Sequence, residues 1–136
     1  MSLRNAEGGG VALSSAGIGG ARYRAVNRAE ALEAEVLALQ PDVLILDYGT
    51  NDYLYTDMLP EDLEEDIREA IGRIRAQSPL TAIVLTTAGD LYRDGLNVRS
   101  AKAFGELIYR IAEEEGCPVL DWFWLAGGPR SALQWR

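Results

Sequence analysis

The chain has 136 residues, of which 48% are hydrophobic, and its 21 acidic and 13 basic residues give a formal charge of −8. That length and apolar content predict one globular domain. The negative charge excludes a nucleic-acid-binding surface, because the protein would repel phosphate backbones. No apolar run approaches the roughly 20 residues that a membrane-spanning helix needs, so no membrane span is predicted. The only cysteine, Cys117, excludes an internal disulfide and a cysteine-cluster metal site.

The N-terminal part begins with a segment, residues 1–10, that is predicted to be an unstructured lead-in to a single domain at 11–136. A short strand is expected over 11–15, followed by a glycine-rich turn at 16–21, where glycine permits positive φ and close backbone approach. A helix is predicted over 27–40, because Leu32, Val36 and Leu39 lie on one face, and Pro41 ends it.

The next strand, 42–48, has consecutive apolar residues, which predicts a strand covered on both faces in a parallel sheet. Pro60 fits the first position of the following helix, whose apolar stripe leaves its acidic residues on the outer face and predicts no metal site. A strand at 81–87, a helix at 100–116 with Ser100 as its cap, and a last strand at 117–122 complete the pattern. This alternation predicts an α/β fold, a three-layer parallel sheet with flanking helices.

Three tryptophans, Trp122, Trp124 and Trp135, lie in the last fifteen residues. Apolar surface of that size normally packs against something, and here the chain ends.

The candidate chemistry begins with Gly49-Thr50-Asn51-Asp52, which follow the second strand at the edge where ligands bind in open α/β sheets. The Asn51 amide could stabilise a developing oxyanion, with a glycine amide from 16–21 as a second donor. Alternatively, these residues only form a turn, in which Asp52 or Thr56 caps local backbone. The glycine block is not a dinucleotide-binding fingerprint, because Arg22 stands where a glycine is required.

Two tyrosines after this block, Tyr53 and Tyr55, either line a substrate groove or anchor the loop to the next helix. Ser14 and Ser15 precede the glycine block, but the sequence has no histidine to activate them as nucleophiles.

A second pair of polar residues, Asp90 and Asp94, could be mistaken for paired catalytic carboxylates. Because both lie beside glycines, they are interpreted as turn residues.

Three segments, "GIGGA" at 17–21, "GTND" at 49–52 and "GGPRSALQW" at 127–135, resemble in their order and spacing the SGNH (GDSL-type) hydrolases. The resemblance implies a flavodoxin-like sheet and an ester hydrolase that uses a serine nucleophile, a histidine base, an orienting aspartate and no cofactor. It also implies an oxyanion hole to which Gly20 contributes its backbone N–H and Asn51 its side chain.

The catalytic blocks of that family are not found in this chain. The serine block would precede residue 11 and the Asp-x-x-His block would follow Trp135, so we expect a partial, catalytically inactive chain that lacks the central first strand. Either the 42–48 strand then has an unpaired apolar edge, which makes the chain marginally stable or aggregation-prone, or it pairs directly with 11–15.

The implied substrate is a small acyl or acetyl ester, with an acetylated carbohydrate as one possibility. The alternative is a non-catalytic SGNH-like module that binds a ligand or a partner. An unrelated flavodoxin-like domain such as a receiver is disfavoured, because its clustered acids and lysine are not found. The sequence leaves localisation and oligomeric state open, since any signal peptide would lie ahead of the serine block.

Overall fold

The computed structural model describes residues 2–3, 10–17, 19–54, 58–93 and 96–134. The described strands are β1 Ser2–Leu3, β2 Leu13–Ser14, β3 Val43–Leu46, β4 Ala82–Thr86, β5 Tyr92–Arg93, β6 Leu96–Asn97 and β7 Val119–Leu120. The described helices are α1 Tyr23–Asn27, α2 Glu30–Leu39, α3 Thr50–Tyr53, α4 Leu63–Gln77, α5 Ser100–Glu115, α6 Trp122–Leu125 and α7 Ser131–Gln134.

The central sheet is parallel, with strand order β3-β4-β7. Helix α4 connects β3 to β4, and α5 connects β4 to β7, so each parallel pair is joined by a helical crossover. The predicted α/β class and parallel sheet with flanking helices are confirmed.

The core is formed largely by the inner faces of α4 and α5. The stripe that the sequence predicts on α4 is buried, although the helix begins at Leu63 rather than at Pro60. Helix α5 buries Phe104, Ile108 and Ile111 and ends at Gly116, whose φ of 65° is the left-handed conformation that favours glycine. The apolar periodicity therefore predicted both helices correctly, because these helices gain most of their stability from burying their apolar faces.

The N-terminal segment departs from the prediction. Residues 2–3, expected to be unstructured, pair with Leu13–Ser14 as a short antiparallel ladder outside the parallel sheet. An antiparallel partner needs only a short connection, whereas a parallel one needs a crossover. The helix predicted at 27–40 is observed as α2, Glu30–Leu39, and a short helix that was not predicted, α1 at Tyr23–Asn27, precedes it.

The strand β3 is an edge of the parallel sheet as far as the structure describes it. Val43 and Ile45 are 53% and 50% exposed, whereas Leu46 is 2% exposed. The prediction that both faces of this strand are covered is therefore wrong, while the expected apolar edge is observed. Direct pairing of β2 with β3 does not occur within the described residues, because β2 pairs with β1.

None of the described helices has both the length and the apolar composition needed to cross a lipid bilayer.

Candidate functional site

The carboxyl ends of β3, β4 and β7 meet at one edge of the sheet and carry several polar side chains. The Thr86 hydroxyl donates to Asp47 Oδ1 at 2.8 Å, and the Thr87 hydroxyl donates to Asp121 Oδ1 at 2.9 Å. These bonds tie the ends of neighbouring strands together, so these two hydroxyls serve the scaffold of the edge.

The "GTND" loop follows β3 at this edge and turns at once into α3. Gly49 has φ 108°, and a Cβ atom built there would lie 2.1 Å from the Phe104 ring of α5. Only glycine allows both this backbone conformation and this close approach. The loop is thereby packed against the buried face of α5.

Asn51 is brought to the glycine block by a long-range hydrogen bond. Its Nδ2 donates to the Ala21 carbonyl oxygen at 3.0 Å, which joins two segments 30 residues apart. Gly20, the neighbour of Ala21, is exposed with φ 78°, and a Cβ atom at that position would meet nothing within 4 Å. The two residues that the sequence nominated as oxyanion donors therefore lie in adjacent segments, with open space beside Gly20.

The side chain of Asn51 retains donor capacity in this arrangement. A primary amide carries two N–H bonds, and the bond to Ala21 uses one of them. The Ala21 contact fixes the direction of the amide, and a second N–H can still donate to a ligand.

Asp52 is a buried acid that reaches the same segment, with 5% of its surface exposed. Its Oδ2 accepts the backbone N–H of Tyr23 at 3.3 Å. Burial raises the pKa of Asp52 to about 6, against the opposing effects of the Tyr23 hydrogen bond and the Arg22 charge. The capping alternative placed the partner of Asp52 in its own turn, but the structure places it at the first residue of α1.

Tyr53 is part of the core. It is 0% exposed, and its ring centroid lies 5.2 Å from that of Phe104. Ser100, expected to cap α5, instead donates its hydroxyl to the Tyr53 carbonyl oxygen at 3.0 Å. Tyr53 therefore anchors the loop to α5 rather than to the next helix, as the alternative had it, and a fully buried ring offers no surface to line a groove. Tyr55, the second nominated tyrosine, lies outside the described residues, as does Thr56.

The third segment of the resemblance, at 127–135, docks at the carboxyl end of β4. Asp90 accepts hydrogen bonds from Asn97 Nδ2 at 3.0 Å and from the Ala132 N–H at 3.4 Å. Asp90 therefore links two other segments of the chain, whereas the sequence predicted only a turn residue. Asp90 also lines an open depression of about 350 Å³ together with residues of α6 and α7 such as Trp122 and Ser131. Asp94 and Trp135 lie outside the described residues.

Asp121 at the end of β7 orders the tryptophan-rich segment. It accepts the Trp124 N–H at 3.1 Å and the Tyr109 hydroxyl. Burial acts to raise the pKa of Asp121, but hydrogen bonds, chiefly from Tyr109, lower it overall. Trp122 and Trp124 remain 42% and 67% exposed, so part of the apolar surface of this segment is uncovered among the described residues.

Sequence reasoning missed two structural roles, the acceptance of the Tyr23 N–H by Asp52 and the bridging by Asp90. The available signal was the position of each acid directly after a buried strand or its turn. The Tyr23 and Ala132 N–H groups could not be inferred as partners, because they lie 29 and 42 residues away along the chain.

Comparison with known proteins places the chain in a family. The chain matches the GDSL-like lipase/acylhydrolase family over residues 2–135. A solved structure of a peptidoglycan O-acetylesterase is similar with a TM-score of 0.71 and 20% identity, covering 85% of this chain and 35% of that one. A possible lipase from Chitinophaga pinensis DSM 2588 is similar with a TM-score of 0.51 and 17% identity, covering 67% of this chain and 48% of that one.

The chain thus spans about a third to a half of the solved structures to which it is similar. At these identities the likeness concerns the fold. No curated protein sequence matches the chain. The family resemblance of the three segments is confirmed by the match over nearly all of the sequence: the chain belongs to the GDSL-like lipase/acylhydrolase family.

Proposed function

We propose that this chain supplies the oxyanion-binding part of an ester hydrolase that uses a serine nucleophile. The observation that carries the proposal is the hydrogen bond from Asn51 to Ala21, which brings the "GTND" loop against the glycine block. Gly20 contributes its backbone N–H and Asn51 its second amide N–H. Family membership supports ester hydrolysis as the class of reaction.

The proposed chemistry follows from the charge that develops during ester cleavage. Attack of a serine oxygen on the ester carbonyl carbon moves an electron pair onto the carbonyl oxygen and forms a tetrahedral oxyanion. Donors held about 2.7 to 3.1 Å from that oxygen stabilise it, and they cost little reorganisation when they are fixed beforehand. In the proposed site, the Gly20 N–H and the directed Asn51 amide are the two donors.

The nucleophile and base are assigned to residues outside this chain. The 136 residues contain no histidine, and a serine hydroxyl at its ordinary pKa is a weak nucleophile without an adjacent base. Ser14 is one of the two serines just ahead of the glycine block, and it lies in β2 outside the parallel sheet. The chain alone is therefore expected to be inactive.

The substrate class proposed is a small acyl ester, of which an acetyl ester on a carbohydrate is the favoured example. The similar solved structure is described as a peptidoglycan O-acetylesterase, and this supports an acetyl group as the first one to test.

The test compares the chain with the longest reading frame that encodes it, using p-nitrophenyl acetate and an acetylated sugar. We expect turnover from the longer protein and none from the chain alone. Asn51→Ala should lower kcat of the longer protein by about 10² to 10³ with little change in KM, since one oxyanion donor is lost.

Asn27→Ala is the matched control, because Asn27 also makes one side-chain hydrogen bond to backbone, to Asp66 O at 2.8 Å. Its kcat should stay close to that of the wild type. An unchanged kcat in Asn51→Ala would refute the oxyanion assignment, and ester turnover by the chain alone would refute the external nucleophile.

A second candidate function is a non-catalytic module that binds a ligand at the same edge, favoured by the absence of histidine. The two candidate functions are distinguished by whether the reading frame encodes a Gly-Asp-Ser block ahead of these residues and an Asp-x-x-His block after them. A frame without both blocks, and without esterase activity, would select the binding module.

A further inference from the structure

Two adjacent residues of α3 form hydrogen bonds with the same short stretch of backbone, one as a donor and the other as an acceptor. Asn51 donates to the Ala21 carbonyl oxygen, and Asp52 accepts the Tyr23 N–H. The two bonds bracket Arg22, the residue that precedes α1. The stretch 21–23 is therefore held at two points by neighbouring positions of one helical turn.

The stretch needs such support because its own sequence provides little. Gly19 and Gly20 precede it in a turn, and glycine has the largest conformational freedom to lose on ordering. The first N–H groups of a helix have no partner within that helix, and Arg22 makes no side-chain cap to α1. Asp52 supplies the missing acceptor from another part of the chain.

We propose that Asp52 is a positioning residue of the oxyanion site: its carboxylate anchors Tyr23 and so holds the Gly20 N–H in place beside the amide of Asn51. The inference rests on the proposed function of Gly20 and Asn51 and adds to it the residue that keeps them together. Asp52 itself is buried and does not contact the substrate.

The charges around Asp52 come from three directions. Arg22 stabilises the ionised carboxylate, whereas Asp62 and Asp66, at the start of α4, oppose it. The buried Tyr23 hydroxyl lies close enough for the Asp52 charge to raise the tyrosine pKa, a smaller effect than that of burial. An ionised acceptor forms a stronger hydrogen bond with an N–H than a neutral one does. The anchor therefore strengthens as the Asp52 carboxyl loses its proton, around pH 6.

The experiment follows backbone and side-chain amide signals of the chain by NMR between pH 4 and pH 8, without substrate. In the wild type, the Tyr23, Gly20 and Asn51 side-chain signals should shift together with one midpoint near pH 6. Asp52→Asn keeps an acceptor oxygen but does not ionise, so this transition should disappear while the fold is retained.

Asp52→Ala removes the acceptor, and hydrogen exchange at the Tyr23 amide should accelerate about tenfold or more, as expected for the loss of a charge-assisted bond. Asp62→Asn is the matched control: it removes a nearby charge that pairs with Arg24 at 2.7 Å, and it should leave the Tyr23 amide protected. In the longer protein, Asp52→Ala should lower kcat about 10²-fold with KM nearly unchanged. Asp52→Asn should retain part of the kcat that Asp52→Ala loses.

Gly20 and Asn51 signals that do not follow the Tyr23 titration in the wild type would overturn the proposal, whatever the stability of the variants. The outcome is distinct from failure of the proposed function. If the signals shift together but Asn51→Ala keeps full activity, the oxyanion assignment fails. If Asn51→Ala is inactive but the signals do not shift together, only the positioning role of Asp52 fails.

Discussion

Strands β3 and β4 lie side by side in one parallel sheet and pair residue for residue, from Val43 with Ala82 to Leu46 with Leu85. β4 is paired on both sides, and its Leu85 is fully buried. Among the described strands, β3 is paired on one side only, and half of the Ile45 surface is exposed. The same kind of apolar run thus forms a core strand in one position and a partly open edge in the other.

The difference also runs along β3 itself. Its beginning is exposed at Val43, whereas its end is buried at Leu46 and continues into Gly49 against the Phe104 ring of α5. The candidate site therefore lies at the supported end of a strand whose other end is open. The stability of the site should depend on α5 more than on the exposed part of β3.

The strongest test of the comparison is truncation of one large apolar residue in each of the two strands. Leu85→Ala should lower the free energy of unfolding by about 2 to 5 kcal/mol, because it leaves a cavity in a closed core. Ile45→Ala should cost less than half as much, since Ile45 is already 50% exposed. Urea denaturation measures both, and equal costs would show that Ile45 is covered in solution.

A pair of glycine substitutions tests the supported end of β3. Gly49→Ala should destabilise the chain by about 2 to 4 kcal/mol, because it adds both a positive-φ penalty and a clash with Phe104. Gly20→Ala carries only the conformational penalty, about 1 to 2 kcal/mol, since its added Cβ would meet open space. Thermal unfolding compares the two. Equal losses would show that α5 does not hold the loop.

The pH dependence of stability tests the burial of Asp52, just beyond the same end of β3. Its pKa is about 6 in the folded chain against an ordinary value of 3.8, so between these values the folded state holds more protons than the unfolded state. Stability should therefore fall as the pH rises from about 4 to about 6, by at most about 3 kcal/mol, and then level off.

The measurement is the difference in unfolding free energy between the wild type and Asp52→Asn at each pH. The variant should lack this slope, whereas Asp62→Asn should retain most of it. Parallel profiles for wild type and Asp52→Asn would contradict the burial of the Asp52 carboxyl.

The smallest effect on stability is expected from a charge on the open edge. Ile45→Lys should change the unfolding free energy by about 0.5 kcal/mol or less, yet reduce self-association, because charged residues block pairing at sheet edges. Leu80→Lys is the control, since Leu80 is 97% exposed but lies before β4 rather than in β3. Sedimentation velocity would compare them. If both variants associate as the wild type does, the β3 edge is not the contact.

Much of the fold could be predicted from local patterns. The stripe on α4 and that on α5 each require burial along one face, and Gly116 ends α5 as expected. The N-terminal ladder could not be predicted, because two-residue strands carry too little periodicity to show their partner. For the same reason the exposure of β3 was missed: a continuous apolar run indicates a strand but does not reveal what covers it.

The candidate site was predictable only in part. The residue types and order of the three segments were enough to identify the family, which the match over residues 2–135 confirms. The roles of Gly20 and Asn51 stay predictions. The position of Tyr53 could not be predicted, because a tyrosine beside a motif fits a groove and a core equally well, and its burial depends on the fold.

The α/β class, the two core helices and the family follow from the sequence alone, because they depend on spacing and on residue types that are close together in the chain. Three features depend on the folded arrangement: the open edge of β3 among the described strands, the hydrogen bond from Asn51 to Ala21, and the burial of Asp52 beside Tyr23. The physical reason is that burial and hydrogen-bond partners across some 30 residues depend on how the helices pack on the sheet, and local sequence pattern does not specify that packing.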